Sequence, residues 1–191
     1  MQKSSYKKGD IFLLIQQSQK GDIKAMESLI RRVQKHVYAL FAHLVEKKDD
    51  ISDLTQEALL KMAKSLNQLK NPKNFKSWLN QIVTNCYYDY ARKNPEKFVE
   101  LSDEKFNEIK DKLGCEPGEK CLFSELDKII RTALMTLPKD LRITIILREY
   151  EGLSYEDIAK LTNTALGTVK SRISRARYKL QNELKEFIIR S

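Results

Sequence analysis

The fold of the second half of this 191-residue chain is indicated by residues 153–180, LSYEDIAKLTNTALGTVKSRISRARYKL. A short helical stretch, a turn of a few residues and a longer helical stretch follow one another, which is the order that a helix-turn-helix requires. Ala159 is small where the two helices would cross. The sequence therefore predicts two helices joined by a tight turn.

The second helix of this motif has two contrasting faces. At about 100° per residue, one narrow face carries only apolar side chains: Val169, Ile173, Ala176 and Leu180. The opposite face carries Ser171, Ser174 and Arg175, with Lys170 and Arg177 on one flank and Arg172 and Lys179 on the other. Short side chains allow a helix to approach base edges while the flanking cations meet phosphates. The alternative to a nucleic-acid contact is that this face is simply a solvated basic surface. The short helix that precedes the second helix argues against that alternative.

The rest of the chain also shows the spacing of amphipathic helices and almost no strand pattern, so we predict an all-α protein. The predicted helices are one that starts after Asp22 and six others at about 52–66, 75–93, 123–136, 139–151, 154–161 and 167–188. Ser154 is the expected N-cap of the short helix, with Asp157 three positions later.

Charge divides the chain into three parts. Residues 1–95 carry a net charge of +8, residues 96–122 a net charge of −3 and residues 123–191 a net charge of +4. The middle part also holds Pro117, Gly114 and Gly118, which are typical of a linker. We therefore expect two small helical domains, 1–95 and 123–191, on a flexible acidic linker, with a polyanionic partner such as nucleic acid.

Several classes of protein do not fit the composition. No run of eighteen apolar residues occurs and the first twenty residues lack the features of a signal peptide, so we expect a cytoplasmic protein. Cys86, Cys115 and Cys121 lack CxxC spacing, which argues against a disulfide scaffold and a zinc ribbon.

The stretch LPKDLRITIILREYEGLSYEDIAKLTNTALGTVKSRISRARYKL resembles the fourth region of bacterial RNA polymerase sigma factors of the extracytoplasmic function (ECF) group, within the sigma-70 family. DLTQEALLKM resembles the polymerase-binding helix of these proteins, and FKSWLNQIVTNCYYDYARK resembles their promoter-melting helix. The resemblance covers nearly the whole chain apart from the linker, and it is nearest to the envelope-stress, sigma-E-like type. It implies a non-enzymatic protein without cofactors that directs core polymerase to stress-regulated promoters.

The resemblance implies that the second domain reads the minus-thirty-five element in the major groove. Lys170, Ser171 and Arg175 match base-reading positions, and Arg172 and Arg177 match positions at the DNA backbone. The helical wheel places Lys170 on the flank, so we favour Ser171 and Arg175 as readers. The full predicted set is Thr168, Lys170, Ser171, Arg172, Ser174, Arg175 and Arg177.

The helix at 75–93 carries a second stripe beside its expected buried face, which comprises Phe75, Leu79, Ile82, Val83, Cys86 and Tyr90. The stripe consists of Trp78, Gln81, Asn85, Tyr88 and Arg92. Rings and guanidinium planes stack on unpaired bases, and amides bond to exposed base edges. A structural role for Trp78 is the alternative. The resemblance implies that this stripe and the preceding loop, with Lys70 and Lys73, hold the melted minus-ten element.

Asp53, Gln56 and Glu57 share one side of the helix predicted at 52–66. Acidic groups in a first helical turn offset the helix dipole, which is the simple interpretation. The resemblance instead implies that these residues dock on the clamp helices of the polymerase β′ subunit. It further implies contact of the second domain with the β flap, a linker near the RNA exit channel, and an anti-sigma factor that holds the protein inactive, in some cases at the membrane.

Two other functions fit parts of the sequence. A helix-turn-helix regulator that acts without polymerase would leave the Trp78 stripe unexplained. A metal-dependent enzyme would use Asp49, Asp50, Asp53 and Glu57 with His36 and His43, but HExxH and glycine-rich phosphate loops are missing from the sequence. No small-molecule substrate is therefore expected.

Overall fold

A computed structural model of the chain describes residues 8–98 and 119–188. Every regular element within these ranges is helical, which confirms the predicted fold class. The α-helices there are α1 (Lys8–Gln19), α2 (Ile23–Leu44), α3 (Lys48–Ser65), α4 (Phe75–Lys93), α5 (Glu119–Met135), α6 (Lys139–Glu149), α7 (Tyr155–Thr162) and α8 (Leu166–Ile188). Short 3-10 turns lie at Leu66–Gln68, Pro72–Asn74 and Pro95–Phe98.

The helices differ from the sequence prediction mainly in three ways. Helix α1 was not predicted, because its apolar residues form the contiguous run Ile11–Ile15 rather than a helical repeat. Helix α3 begins at Lys48 instead of about residue 52, since Asp49 and Asp50 occupy its first turn, where acidic groups are favourable. Helix α5 begins at Glu119, so the last residues of the expected linker are helical, while residues 99–118 lie outside the described ranges.

The described residues divide into two compact units. The first comprises residues 8–41 and 47–88, and the second comprises residues 42–46, 89–98 and 119–188. Helices α2, α3 and α4 supply fully buried side chains to the first unit: Leu29, Val37, Phe41, Ala58, Met62 and Tyr87. The Asp22 carboxylate accepts a hydrogen bond from the Ala25 N–H at 3.0 Å, so Asp22 caps the start of α2, as the predicted helix start after Asp22 requires.

The buried face of α4 is wider than predicted. Phe75, Leu79, Val83 and Cys86 are buried as expected, whereas Ile82 and Tyr90 are only half-buried. The interior also contains four side chains beside the predicted face: Asn80, Thr84, Tyr87 and Ala91, all at most 1% exposed. The predicted face was too narrow: it left out Tyr87 and Ala91, and it excluded Asn80 and Thr84 because they are polar.

Helix α6 is the centre of the second unit and packs against both α7 and α8. Its side chains from Leu141 to Leu147 are all buried, including Arg142. The Arg142 guanidinium donates to the carbonyl oxygens of Met135 and Leu137 at 2.7 and 2.9 Å. A cation at the carboxyl end of α5 is favourable for the helix dipole, so this buried charge also joins α5 to α6.

Candidate nucleic-acid interface

Local hydrogen bonds close both ends of α7, and those at its carboxyl end form the turn that leads to α8. Ser154 Oγ accepts from the Asp157 N–H at 3.0 Å and donates to Asp157 Oδ2 at 2.7 Å, which confirms the predicted cap. At the other end Asn163 adopts the left-handed conformation, with φ of 50°, a region that asparagine enters more readily than most residues. Thr164 N–H then donates to Ala159 O at 3.0 Å. A three-residue turn, 163–165, thus connects the two helices of the motif.

Helix α8 presents the two faces that the sequence predicted. Val169, Ile173 and Ala176 are at most 1% exposed, while Leu180 is half-buried. Lys170, Ser171, Ser174, Arg175 and Arg177 are exposed, and Thr168 is half-buried at the start of the helix. Burial of the apolar stripe fixes the rotation of α8, and the opposite face is therefore held outward.

The two candidate base readers contact each other on this outward face. Ser171 Oγ donates to the Thr168 carbonyl oxygen at 2.9 Å. The Arg175 guanidinium lies along the helix, with Nη2 3.3 Å from Ser171 Oγ and Nε 3.4 Å from the Ser171 carbonyl oxygen. These bonds are long, and no acidic side chain among the described residues pairs with Arg175. An exposed guanidinium held only by weak bonds can turn toward a guanine edge, its commonest base partner.

Two of the flanking arginines are paired with carboxylates of α6. Arg172 Nη2 lies 3.3 Å from Asp140 Oδ2, and the Arg172 side chain is only 16% exposed. Arg177 Nη2 lies 2.6 Å from Glu149 Oε1, and this hydrogen bond raises the pKa of the Arg177 guanidinium. Sequence reasoning missed Asp140 and Glu149, because they lie 32 and 28 residues from their partners and no local pattern signals the pairing.

The stripe on α4 is present on the surface of the first unit. Asn85 and Arg92 are exposed, and Trp78, Gln81 and Tyr88 are half-buried. The Trp78 ring lies 6.0 Å from the ring of the buried Phe75, centroid to centroid, and Trp78 stays partly exposed. Gln81 Nε2 donates to Asn85 Oδ1 at 2.9 Å, which leaves the Asn85 amide nitrogen as an outward donor. Arg92 pairs with Asp89 at 3.2 Å.

The loop before α4 exposes the two predicted lysines, Lys70 and Lys73. Asn71 Oδ1 accepts a hydrogen bond from the Lys73 N–H at 3.0 Å, and the Asn71 carbonyl accepts from the Asn74 N–H at 2.9 Å. The loop backbone is thus organised by its own residues, and both ammonium groups project from an ordered turn.

The candidate docking face of α3 contains Asp53, Gln56 and Glu57, all exposed. Since α3 begins at Lys48, Asp53 lies beyond the first turn, and the helix dipole, which acts within that turn, does not account for it. Glu57 pairs with Lys61 at 2.7 Å, and this bond raises the Lys61 pKa. Leu60, 55% exposed, extends the same face and was missed. Leu59 and Leu60 lie 100° apart on the helix, and only Leu59 is buried here, so their apolar character alone did not show which of them is exposed.

The remaining chemistry of the described ranges is sparse. No cluster of three His, Cys, Asp or Glu side chains there is arranged to hold a metal ion, and no helix there has the length and apolar character to cross a membrane. Cys86 is a buried thiol, whereas the side chains of Cys115 and Cys121 lie outside the described residues.

Comparison with known families matches the two halves of the chain separately. Residues 29–95 match the family model of Sigma-70 region 2, and residues 127–180 match that of Sigma-70, region 4. The ECF RNA polymerase sigma-E factor of Haemophilus influenzae is 35% identical over 177 residues, which cover 90% of this chain and 93% of the relative. That of Escherichia coli K12 is 35% identical over 184 residues, covering 93% and 96%. The RNA polymerase sigma-H factor of Pseudomonas aeruginosa is 32% identical over 92% of this chain and 94% of its own.

Two solved structures resemble the chain in fold. The sigma factor RpoE of Bartonella quintana, solved in complex with the anti-sigma factor NepR, gives a TM-score of 0.63 at 31% identity over 85% of this chain and 98% of that one. CnrH, in complex with the cytosolic domain of CnrY, gives a TM-score of 0.63 over 93% and 98% of the two chains, and its 20% identity supports the fold alone. With both sigma regions matched in order and named relatives 35% identical over about nine-tenths of its length, the chain belongs to the ECF group of RNA polymerase sigma factors.

Proposed function

We propose that this ECF sigma factor recognises promoters with two surfaces, the outward face of α8 and the stripe of α4, while α3 docks on core polymerase. As a sigma factor the chain binds RNA polymerase core, directs it to specific promoters and promotes DNA melting. The observation that carries the proposal is the exposure of a small polar face with Arg175 on a helix fixed by three buried residues. A regulator that acts without polymerase is disfavoured, because both sigma regions match in order.

The domain at 123–191 is proposed to read the minus-thirty-five element as duplex DNA. Ser171 and Arg175 are positioned to contact base edges, with Thr168 and Ser174 beside them. Lys170 is exposed for the phosphate backbone. Arg172 and Arg177 reach the backbone only at the rims of the face, because each is paired with an α6 carboxylate.

The domain at 1–95 is proposed to hold the melted minus-ten element as single-stranded DNA. Aromatic faces are sequence-tolerant stacking platforms, and amides supply edge contacts. Trp78 and Tyr88 keep partly exposed rings for stacking, and Asn85 offers an amide donor. Lys70, Lys73 and Arg92 are exposed cations at the two ends of α4 and suit the strand's phosphates.

We propose that Asp53, Gln56 and Glu57 dock on the β′ clamp helices, with the exposed Leu60 as an apolar contact in the same face. A double variant, Asp53→Ala with Glu57→Ala, is expected to weaken core polymerase binding about tenfold or more, as loss of an interface hot spot does. Pull-down and titration of purified core polymerase measure this.

The matched control for that variant is Glu27→Ala with Glu46→Ala, which removes the same charge from two other exposed positions. It is expected to bind core polymerase like the parent protein. Undiminished binding by the Asp53 and Glu57 variant, with its helical content intact, would remove α3 from the interface.

The remaining partners follow from the family. Contact of the second domain with the β flap, control by an anti-sigma factor and a stress-regulated set of promoters are proposed, together with action in the cytoplasm at the nucleoid or retention at the membrane by that anti-sigma factor. Catalysis belongs to the polymerase, and no cofactor or small-molecule substrate is proposed for this chain.

The experiment that tests the function is transcription from genomic DNA by purified core polymerase, with and without this chain, followed by sequencing of the transcripts. Start sites that appear only with the chain, and share two elements upstream, are the expected result. A core enzyme that gains no selectivity would overturn the proposal.

A further inference from the structure

Gln19, the last residue of α1, connects that helix to the segment that leads into the minus-ten loop. Its side-chain nitrogen Nε2 donates to the carbonyl oxygens of Leu66 and Leu69, each at 2.9 Å. A glutamine amide carries two N–H donors, so a single side chain serves both acceptors. The acceptors belong to residues 47 and 50 positions away in sequence, and this contact is therefore tertiary rather than local.

The two carbonyl groups bracket the 3-10 turn Leu66–Gln68. Leu69 N–H donates to Leu66 O at 3.1 Å, and the side chains of Leu66 and Leu69 are buried, at 1% and 6% exposure. Residue Lys70 follows at once and begins the exposed loop. The amino-terminal side of the loop is therefore fixed by buried leucines and by the Gln19 amide together.

The carboxyl-terminal side of the loop is fixed independently. Asn71 caps the second 3-10 turn through the Lys73 N–H, and the buried Phe75 begins α4. Between the two fixed ends the exposed loop residues are Lys70, Asn71, Lys73 and Asn74. Loss of the Gln19 bonds would loosen only the amino-terminal end, where the buried leucines remain, so the loop would shift slightly relative to α4 without losing its own cap.

We infer that Gln19 is a positioning residue for minus-ten recognition, which sets the loop at 70–74 against the α4 stripe so that an unpaired base is held in one geometry. This inference rests on the proposed function of that loop. Recognition groups must be held to within about 0.5 Å to discriminate between ligands, and a neighbouring hydrogen bond is what supplies such support. Gln19 does not itself contact DNA in this assignment.

The variants at position 19 are chosen by whether they keep the hydrogen-bond donors of the Gln19 side chain. Gln19→Met keeps the length of the side chain and removes both donors, and Gln19→Glu replaces the donors with oxygens that face two carbonyl groups. Gln19→Lys retains a donor group at similar reach. Gln16→Met is the matched control, because Gln16 lies on the same helix and is exposed.

The experiment uses full-length chain bound to core polymerase. The probes are single-stranded oligonucleotides from the non-template strand of a start site mapped by the transcription experiment, in cognate form and with one base of the upstream element replaced. The quantity measured is the ratio of the two affinities. A duplex minus-thirty-five probe and the thermal unfolding midpoint are measured alongside.

We expect Gln19→Met and Gln19→Glu to lower the cognate-to-replaced ratio about tenfold, since a small misplacement of recognition groups has effects of this order or larger. Gln19→Lys should restore much of the ratio, Gln16→Met should match the parent protein, and duplex binding should be unchanged in all four.

An unchanged ratio in Gln19→Met, including the case in which both oligonucleotides lose affinity equally and the unfolding midpoint falls, would overturn the positioning role while the proposed function stands. Should Gln19→Met fail to fold, Gln19→Glu compared with Gln19→Lys decides the matter: a ratio lost in Gln19→Glu and kept in Gln19→Lys supports a donor requirement, and equal ratios in the two contradict it. Failure of the parent protein to select any start site is a different result, and it removes the proposed function itself.

Discussion

Arg175→Ala is expected to weaken binding to the cognate minus-thirty-five duplex by about 1 to 3 kcal/mol, the contribution of one good arginine–guanine contact. This corresponds to roughly a 5- to 150-fold loss of affinity. The physical reason is that Arg175 is exposed at the centre of the α8 face and is held only by long bonds to Ser171, so it is available to a base. Fluorescence anisotropy with the cognate duplex and with duplexes changed at single positions measures the effect.

The loss should be confined to one base pair of the duplex. Lys185→Ala is the matched control, because Lys185 is an exposed cation near the end of the same helix and its removal tests charge alone. It should lower affinity slightly and equally for every sequence. If Arg175→Ala also gave an equal loss on all sequences, Arg175 would be assigned to phosphate and not to a base.

Ile173→Ala is expected to reduce the free energy of unfolding of the second unit by about 2 to 5 kcal/mol, the usual range for isoleucine truncation in a packed interior. Ile173 is 1% exposed on the face of α8 that packs on α6 and α7. The cavity left behind would also free the rotation of α8, and duplex binding should fall together with stability. Urea unfolding followed by circular dichroism measures the change.

Two substitutions calibrate that result. Ile173→Val removes a single methylene and should cost about 0.5 to 1.5 kcal/mol. Ile130→Ala removes the same atoms as Ile173→Ala from a side chain that is 38% exposed on α5, and its cost should be clearly smaller. Comparable losses in Ile130→Ala and Ile173→Ala would mean that α8 is not held by its apolar stripe.

Features that depend on neighbouring residues were predictable from the sequence. The α8 faces follow from the spacing of Val169, Ile173 and Ala176, and the Ser154 cap follows from the type of residue at the helix start. The bounds of α4 were predicted without error, because Pro72 and Asn74 mark its beginning and Asn94 and Pro95 its end.

Features that depend on distant residues were not predictable in this way. The Arg177–Glu149 pair and the Gln19 contact with Leu66 join positions 28 and 47 residues apart, and no periodicity encodes them. Helix α1 was not predicted, because packing and not the local apolar pattern determines that Ile15 is buried while Phe12 and Leu13 are exposed. Asn80 and Thr84 are likewise buried because of how α4 packs against its neighbours, and a count of apolar residues does not detect this.

Arg172 and Arg177 are paired with the carboxylates of Asp140 and Glu149. A DNA phosphate that binds either arginine would therefore replace a carboxylate as its partner. A phosphate that pairs with Arg177 must displace the Glu149 carboxylate, which then loses its own partner, so the net gain in neutralised charge is smaller than for an unpaired cation. Affinity for DNA falls with salt in proportion to the phosphates that a protein newly neutralises. We therefore expect the rims of the α8 face to contribute less to salt dependence than their number of arginines indicates, and the sensitivity of this face to ionic strength to be concentrated in Lys170.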